Sequence, residues 1–244
     1  MPTTVFLAGA SGAIGKRLVP LLREAGHTVF GTTRSAAKAD DLASAGATPV
    51  VVDVFDAPAL TKAVVAVRPT VVIHQLTDLP RGLDPSRMAE AAVRNSRIRD
   101  EGTRNLVAAA LAAGARRLIA QSIAWVYAPG PEPHGEDDPL DLEAKTIGKA
   151  SIDGVAALER QTLNSPPLEG IVLRYGALYG LGTGADAPPS SRPPLHVDAA
   201  ASAALLAIEK GRPGIYNIAE LNNYMTTDKA RRELGWDSGF RLRD

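Results

Sequence analysis

The sequence predicts an α/β fold of the Rossmann type, in which helices cover both faces of a doubly wound parallel sheet. Two observations predict this class. Short runs of apolar and β-branched residues alternate with longer segments of helical periodicity along most of the chain. The first run, residues 5–8, leads directly into the glycine-rich segment 9–15 and then into a helical pattern. A strand, a glycine turn and a helix in this order are typical of the first unit of the fold.

Six strands are predicted from short apolar runs, at residues 5–8, 28–32, 49–52, 71–74, 117–121 and 170–174. Their apolar residues are consecutive rather than alternating, so we expect the sheet to be covered on both faces. Helices are predicted between them at residues 13–25, 36–45, 57–67, 86–113 and 151–162. Two segments rich in proline and glycine, residues 129–139 and 180–194, are predicted to be loops over the cleft at the carboxyl ends of the strands.

The composition limits the kinds of partner. The 244 residues include 27 basic and 27 acidic side chains, so nothing favours nucleic acid or an anionic membrane as the partner. The chain has no cysteine and only four scattered histidines, which disfavours disulfides, thiolate catalysis and a metal site. No run approaches the length of a membrane span and no secretory signal is visible. We therefore expect a cytoplasmic protein that binds a small molecule.

The glycine-rich segment predicts a phosphate site. A strand that ends in such a turn directs several backbone N–H groups and the positive end of a helix dipole at one point, which suits a pyrophosphate. Gly9 would form the tight turn, Gly12 would let the backbone approach the ligand, and Gly15 would let the helix pack on the strand. We assign to this site Gly9, Ser11, Gly12, Ala13, Ile14 and Gly15. The alternative is an ordinary strand–helix turn without a ligand.

If the ligand is a dinucleotide, the end of the second strand distinguishes NAD from NADP. An acidic residue there would bind the ribose hydroxyls of NAD, and none occurs before Asp40. Arg34 can instead pair with the 2′-phosphate of NADP, with Thr33 and Lys38 as further contacts. The sequence therefore favours NADP over NAD, and the alternative interpretation of Arg34 is a solvated basic residue at the start of a helix.

Two further segments follow strands and should lie beside the same ligand. A carboxylate after the third strand could accept a hydrogen bond from the adenine amino group, whereas Asp56, before Ala57 and Pro58, is predicted to cap a helix. The segment after the fourth strand should lie beside the middle of the dinucleotide. We assign to these contacts Asp53, Val54, Gln75, Leu76 and Thr77.

Several motifs now occur in a consistent order: GASGAIG, DVFD, VVIHQL, GTRNLVAAALAAGARRLIAQS, VYAP, LRYGALYG, HVDAA and KARRELGW. In order and spacing they resemble the extended and atypical short-chain dehydrogenase/reductase superfamily, in particular its NAD-dependent epimerase/dehydratase branch. The resemblance covers most of the chain. It implies a nicotinamide cofactor and a small organic substrate, either a carbonyl or alcohol or a sugar.

The resemblance also implies catalytic groups that this sequence lacks. Such proteins usually use a Tyr-x-x-x-Lys pair and a nearby Ser or Thr for proton transfer. No tyrosine here is followed four residues later by a lysine. Alignment of the helix at 151–162 with the family pattern puts Ser151 at the tyrosine position and Val155 at the lysine position. Ile123 stands at the hydroxyl position, with Ser122 one residue away.

We consider three residues as replacement catalytic groups: Tyr127 after the fifth strand, Tyr175 after the sixth, and Ser122. The alternative for both tyrosines is an aromatic side chain that only lines the pocket. A one-residue shift at the end of a strand turns a side chain to the opposite face, which argues against Ser122. A loop rearrangement could bring Lys145 or Lys149 to the ribose, although solvent exposure is the more common state of such lysines.

The C-terminal part is shorter than the resemblance implies. Only 15 residues separate Gly180 from His196, where the family usually has a long substrate-binding insertion. Either the lid is reduced or residues of the natural chain are absent from this sequence. We assign residues 1–180 to an NAD(P)-binding Rossmann domain and residues 181–244 to a reduced C-terminal substrate-binding region.

Three functions are compatible with these features. The first is an NADP-dependent oxidoreductase or epimerase-like enzyme with an altered proton relay. The second is a non-catalytic NADP-binding sensor or partner protein, and the third is a non-redox isomerase on the same fold. The resemblance also implies a possible homodimer through the fourth and fifth helices. The arginines of the fourth helix could serve that contact or form a solvated face: Arg87, Arg94, Arg97 and Arg99.

Overall fold

The computed structural model describes residues 1–143 and 148–242. Within these residues the strands are β1 (Thr4–Ala8), β2 (Thr28–Thr33), β3 (Thr48–Val51), β4 (Val71–His74), β5 (Arg117–Ile123), β6 (Glu169–Tyr175), β7 (Ala177–Tyr179), β8 (Pro194–His196) and β9 (Gly214–Ile218). The α-helices are α1 (Ala13–Glu24), α2 (Ala39–Ser44), α3 (Ala57–Val67), α4 (Met88–Arg97), α5 (Thr103–Ala112), α6 (Lys149–Leu163) and α7 (Val197–Leu206). No helix of the described residues is long and apolar enough to cross a membrane.

The main sheet has seven parallel strands in the order β3-β2-β1-β4-β5-β6-β9. The chain moves outward from β1 to β3 and then returns to the other side of β1 with β4. This reversal between β1 and β4 opens a crevice at the carboxyl ends of the strands, which is where such folds bind ligands. The predicted Rossmann-type doubly wound sheet is confirmed.

Both faces of the sheet are covered, as the consecutive apolar residues of the strands predict. Side chains alternate along β1, so that Val5 and Leu7 join the core beneath α1 and α7 while Phe6 joins the core beneath α3 and α5. These three side chains are fully buried. The two cores hold the carboxyl ends of the strands in fixed register, which positions the cleft residues.

The helix predicted at residues 86–113 is interrupted. The chain is α-helical in α4 and α5, but a π-helical turn, Ile98–Gly102, joins them. A π turn adds a residue to the helical turn and changes which side chains face the sheet. The helical periodicity of the sequence does not reveal such a local widening.

The segment after residue 180 contributes to the main fold as well as to the cleft. Strand β9 extends the sheet beside β6, and α7 packs against α1. Strands β7 and β8 form a separate two-stranded sheet. The sequence analysis did not assign β7, β8 or β9. The Rossmann layers therefore extend beyond the predicted boundary at residue 180, as far as Ile218.

Candidate functional site

A cleft of about 1310 Å³ lies at the carboxyl ends of the strands. Residues from the ends of β1, β2, β4, β5 and β6 line it, together with the segment that follows β3. The predicted cofactor residues that line it are Gly9, Ser11, Gly12, Ala13, Ile14, Thr33, Arg34, Lys38, Asp53, Val54, Gln75, Leu76 and Thr77. Gly15 lies just beneath, within α1. The volume is large enough for a dinucleotide together with a small substrate.

The glycine turn has the geometry of a phosphate cradle. Gly9 has φ +95°, and a Cβ there would lie 2.6 Å from the carbonyl oxygen of Gln75. A Cβ on Gly15 would collide with the carbonyl oxygen of Gly9. Helix α1 begins at Ala13, its N-cap Gly12 provides no side-chain cap, and its first turn has no acidic residue. The N–H groups of that turn are therefore free of side-chain competition for an anion, and the residues fit a pyrophosphate.

The end of β2 is basic. The Thr32 hydroxyl accepts a hydrogen bond from the Gly9 N–H at 3.1 Å, which ties this strand end to the cradle. The Thr33 hydroxyl accepts from the Ser35 N–H at 3.2 Å and so fixes the turn that presents Arg34. Arg34 and Lys38 are exposed at the rim, with no carboxylate between them. This rim can accept a phosphate.

The carboxylates after β3 serve local turns. Asp53 lines the cleft, but one of its oxygens accepts the Phe55 N–H at 3.0 Å. Asp56 accepts the Ala59 N–H at 3.0 Å and caps α3, which confirms the predicted cap. The Asp53 side chain has a second oxygen for an adenine amino group, and that contact stays a prediction.

The positions that would carry the proton relay hold other side chains. Ile123 and Ser151 line the cleft, whereas Val155 is fully buried in a small apolar cluster with Ile152 and Val126. Lys149 is exposed and its ammonium group pairs with Asp153 at 2.6 Å. Lys145 lies outside the described residues. In the part of the chain that the structure describes, no lysine replaces the missing one in the cleft lining beyond the rim residue Lys38.

Ser122 does not direct its hydroxyl at the cleft. The hydroxyl donates to Glu159 Oε1 at 2.9 Å, and the same carboxylate receives two bonds from Arg174, from Nε at 2.9 Å and Nη2 at 2.7 Å. All three side chains are buried. The alternation of side chains along β5 turns Ser122 to this network and Ile123 to the cleft, so Ser122 has a structural partner rather than a catalytic position.

The two candidate tyrosines are both held by structural hydrogen bonds. Tyr175 lines the cleft, but its hydroxyl donates to the carbonyl of Ala200 at 3.1 Å and burial raises its pKa above the usual range. Tyr127 is absent from the described cleft lining: it is stacked on His134 and donates to Asn217 Oδ1 at 2.5 Å. The expectation that Tyr127 approaches the cleft is therefore wrong. Burial raises the pKa of both hydroxyls, which makes them poor proton donors at neutral pH.

The two predicted loops differ in position. The segment after Gly180 covers the cleft: Gly182 approaches Ala13 of α1, Gly184 approaches Gly82, and Arg192 lies over the Trp125 ring at 4.6 Å. The loop at residues 129–139 does not line the described cleft. It is fixed on the neighbouring surface, where the chain around His134 pairs with Met225. The prediction was correct for the first loop and wrong for the second.

One charged residue of the cleft, Arg99, was not predicted from the sequence, which placed it among arginines of a dimer contact or a solvated face. It lies in the π turn and lines the cleft. No sequence signal separates Arg99 from the nearby arginines, because the burial of Asn95 and Thr103, four residues before and after it, is a property of the structure. Among the described residues, no group of three or more His, Asp or Glu side chains could hold a metal ion.

Comparisons with known proteins agree with this geometry. A family model described as NAD(P)H-binding matches residues 9–179. The 3-diazoavenalumate denitrifying reductase of a Streptomyces species is 42% identical over 236 residues, covering 88% of this chain and 75% of that protein. The UDP-glucose 4-epimerase of Thermotoga maritima has a TM-score of 0.77 at 18% identity, covering 98% of this chain and 94% of that chain.

A second solved structure, the Bordetella bronchiseptica enzyme WbmG in complex with NAD, has a TM-score of 0.73 at 22% identity and covers 99% of this chain and 91% of that chain. The structural matches show the shared fold, and the sequence matches show the relationship. The resemblance predicted from the motifs is confirmed. The chain belongs to the NAD(P)H-binding family, and it shares its fold with the UDP-glucose 4-epimerase of Thermotoga maritima.

Proposed function

We propose that the protein is an NADP(H)-dependent reductase whose substrate accepts a hydride without a proton from the protein, with an aromatic diazo compound as the substrate class. One observation carries the proposal. The cofactor cradle is intact, while Ile123, Ser151 and Val155 occupy the positions of the usual proton relay. The relative that is 42% identical is named for a diazo substrate and for a denitrifying reduction, which supports this class.

Reduction of a carbonyl compound and reduction of an aromatic diazo compound differ in whether they consume a proton. When bound, the reduced nicotinamide supplies a hydride. Reduction of a carbonyl also consumes a proton, which a positioned acid must deliver to the oxygen. An arenediazonium accepts the hydride at its terminal nitrogen to form an aryldiazene. That species loses its N–H proton and N₂ while the ring carbon takes up a proton, so no net proton is consumed.

The residues of the cleft have corresponding roles in this proposal. Ile123 and Trp125 present apolar surface where the relay would lie and exclude water from the reacting nitrogen. The cradle from Gly9 to Ile14 holds the pyrophosphate. Arg34 binds the 2′-phosphate at the rim, with Thr33 and Lys38 beside it, and favours NADP over NAD.

Product analysis tests the proposal. Purified protein with NADPH is given a carboxylated arenediazonium salt or the matching benzaldehyde, and NADPH loss, N₂ release and the arene product are measured. The protein-free mixture corrects for direct reduction by NADPH. With the diazonium salt we expect protein-dependent N₂ release, with one NADPH consumed per N₂. With the aldehyde we expect no protein-dependent oxidation of NADPH.

Three results would each overturn the proposal. Tight NADPH binding without turnover would favour a sensor or partner protein. Turnover of the aldehyde at a rate comparable to the diazonium would favour an ordinary carbonyl reductase with an undetected proton donor. Conversion of a substrate without net NADPH consumption would favour an isomerase or epimerase.

We also propose a homodimer through α4 and α5, as the resemblance implies. Each of these helices carries an exposed large apolar side chain that supports the proposal: Val93 of α4 is 62% exposed and Leu111 of α5 is 39% exposed. Light scattering after size exclusion should give twice the chain mass, and Val93→Glu should shift the mass to that of a monomer. A monomeric wild-type protein would contradict the proposal.

A further inference from the structure

Arg99 occupies an unusual position in the cleft wall. It lies in the π turn Ile98–Gly102, and its neighbours one turn away on the same side, Asn95 and Thr103, are buried. π turns occur often at functional sites, because the widened turn redirects a side chain. Arg99 is half-buried on a mainly buried helix face, and it lines the cleft together with Ser151 and Ile123.

Arg99 also differs from the other arginines of the same helical run. Three of these have a carboxylate partner: Arg94 with Asp78 at 3.1 Å, Arg97 with Glu101 at 2.7 Å, and Arg104 with Asp100 at 3.6 Å. Arg99 has no hydrogen bond or ion pair to any residue of the described ranges 1–143 and 148–242. Glu159, the carboxylate whose charge reaches it, is already bound by Arg174 and Ser122.

The environment disfavours an unpaired charge. Burial lowers the pKa of Arg99 to about 10, so the guanidinium is still protonated at neutral pH but has lost part of its hydration. Burial, together with the charge of Arg99, lowers the pKa of His74 to about 4, so this histidine is neutral and adds no charge beside Arg99. A partly dehydrated guanidinium beside an open cleft has five donors in a planar arrangement, and none of the described residues accepts from them, which suits an incoming carboxylate.

The position of Arg99 separates it from the cofactor phosphates. The ionisable groups that interact with it electrostatically are His74, at the end of β4, and Glu159, which is bound to Ser122 of β5, so Arg99 lies toward the β4 and β5 side of the cleft. The pyrophosphate cradle lies at the end of β1 and the Arg34 rim at the end of β2. A second cation, Arg192, lies at the same substrate end over Trp125.

The only carboxylates among the described lining residues are Asp53 and Asp78. Asp53 accepts the Phe55 N–H, and Asp78 pairs with Arg94. Asp53 follows β3 at the cofactor end and Asp78 is paired, so the cations Arg99 and Arg192 give the substrate end a positive charge. Such a field attracts an anion and repels a cation.

We propose that Arg99 is the recognition residue for a carboxylate on the substrate, so that the protein selects anionic over neutral aromatic substrates. This inference rests on the proposed reductase function for the identity of the ligand as a substrate. In this proposal the carboxylate at one end of the substrate binds Arg99, and the reducible group at its other end lies toward the cofactor.

Ligand binding tests the inference without turnover. Cinnamate and methyl cinnamate are titrated into NADPH-loaded protein, and binding is followed by calorimetry. We expect the wild-type protein to bind cinnamate more tightly than the ester. Arg99→Gln should weaken cinnamate about tenfold to a hundredfold, leave the ester unchanged and leave NADPH affinity within about twofold. Arg99→Lys should retain part of the preference, because it keeps the charge but loses the planar fork.

Arg104→Gln is the matched control, since it removes a cation from the same helical run but outside the described cleft lining. It should leave both probes unchanged. Failure of the wild-type protein to bind cinnamate, or an equal loss for cinnamate and its ester in Arg99→Gln, would overturn the inference.

Thermal melting distinguishes a ligand-binding role from a structural one. Because Arg99 has no described protein partner, Arg99→Gln should melt at the wild-type temperature or above it. A lower melting temperature would indicate a structural partner and overturn the inference.

The inference and the proposed function fail differently. If arenediazonium salts are not reduced but cinnamate binding depends on Arg99, the proposed function fails alone. If they are reduced and Arg99→Gln changes KM equally for carboxylated and neutral salts, the inference fails alone.

Discussion

Replacement of Arg34 by alanine should separate NADPH from NADH. Arg34 follows β2 at the rim of the cleft, where Thr33 fixes the turn and no carboxylate intervenes. A charge-assisted hydrogen bond to a phosphate contributes about 1.5–3 kcal/mol, which is about tenfold to a hundredfold in affinity. Exposure of the arginine places the expected loss toward the lower end of that range.

The assay is equilibrium binding of both cofactors, followed by calorimetry at fixed ionic strength. NADPH should weaken by at least about tenfold in Arg34→Ala, and NADH by less than about threefold because it lacks the 2′-phosphate. Arg160→Ala is the control, since this exposed arginine of α6 is outside the described cleft lining. Equal losses for the two cofactors, or no loss of NADPH, would refute the reasoning.

Three further predictions test the structural roles assigned above. Ser122→Ala should lower the free energy of unfolding by about 1 kcal/mol and keep turnover. Glu159→Ala should lower it by about 3–5 kcal/mol, because Arg174 is then left buried and unpaired. Urea unfolding measures both changes, and loss of turnover in a folded Ser122→Ala protein would contradict the structural role of Ser122. Tyr175→Phe should keep turnover and lose about 1 kcal/mol of stability, and a large fall in kcat would restore it as a proton donor. Burial lowers the pKa of His74 to about 4 in the folded protein, against about 6.5 in the unfolded chain. The free energy of unfolding should therefore fall as the pH is lowered between these values, by at most about 1.4 kcal/mol per pH unit. His74→Asn should flatten this pH dependence in urea unfolding.

Local sequence signals were sufficient for the Rossmann layers. Continuous apolar runs identify the central strands β1, β4, β5 and β6, because a strand buried on both faces has few polar positions to interrupt it, and the short runs of β2 and β3 were also recognised. The glycine turn was equally readable, since Gly9 and Gly15 stand where a Cβ would meet the backbone. Strand β9 was not predicted, because its five residues include Gly214 and Asn217, which interrupt the apolar run.

The substrate end was harder to predict, because it depends on side-chain direction and on partners. The sequence indicated that Ser122 would face away from the cleft, and the structure shows its partner, Glu159. It did not show that Tyr127 is held by Asn217, which lies ninety residues further along. Arg99 was hidden in a run of arginines, and only the π turn and the pairing of its neighbours set it apart.

Single-turnover oxidation of enzyme-bound NADPH tests the central claim most directly, namely hydride transfer without a proton from the protein. A carboxylated arenediazonium salt is mixed with the NADPH-loaded protein in a stopped-flow instrument, and the rate is recorded between about pH 6 and pH 8. We predict oxidation at a rate that is independent of pH over this range. A rate that rises or falls tenfold per pH unit, or bound NADPH that is not oxidised at any pH, would contradict the account.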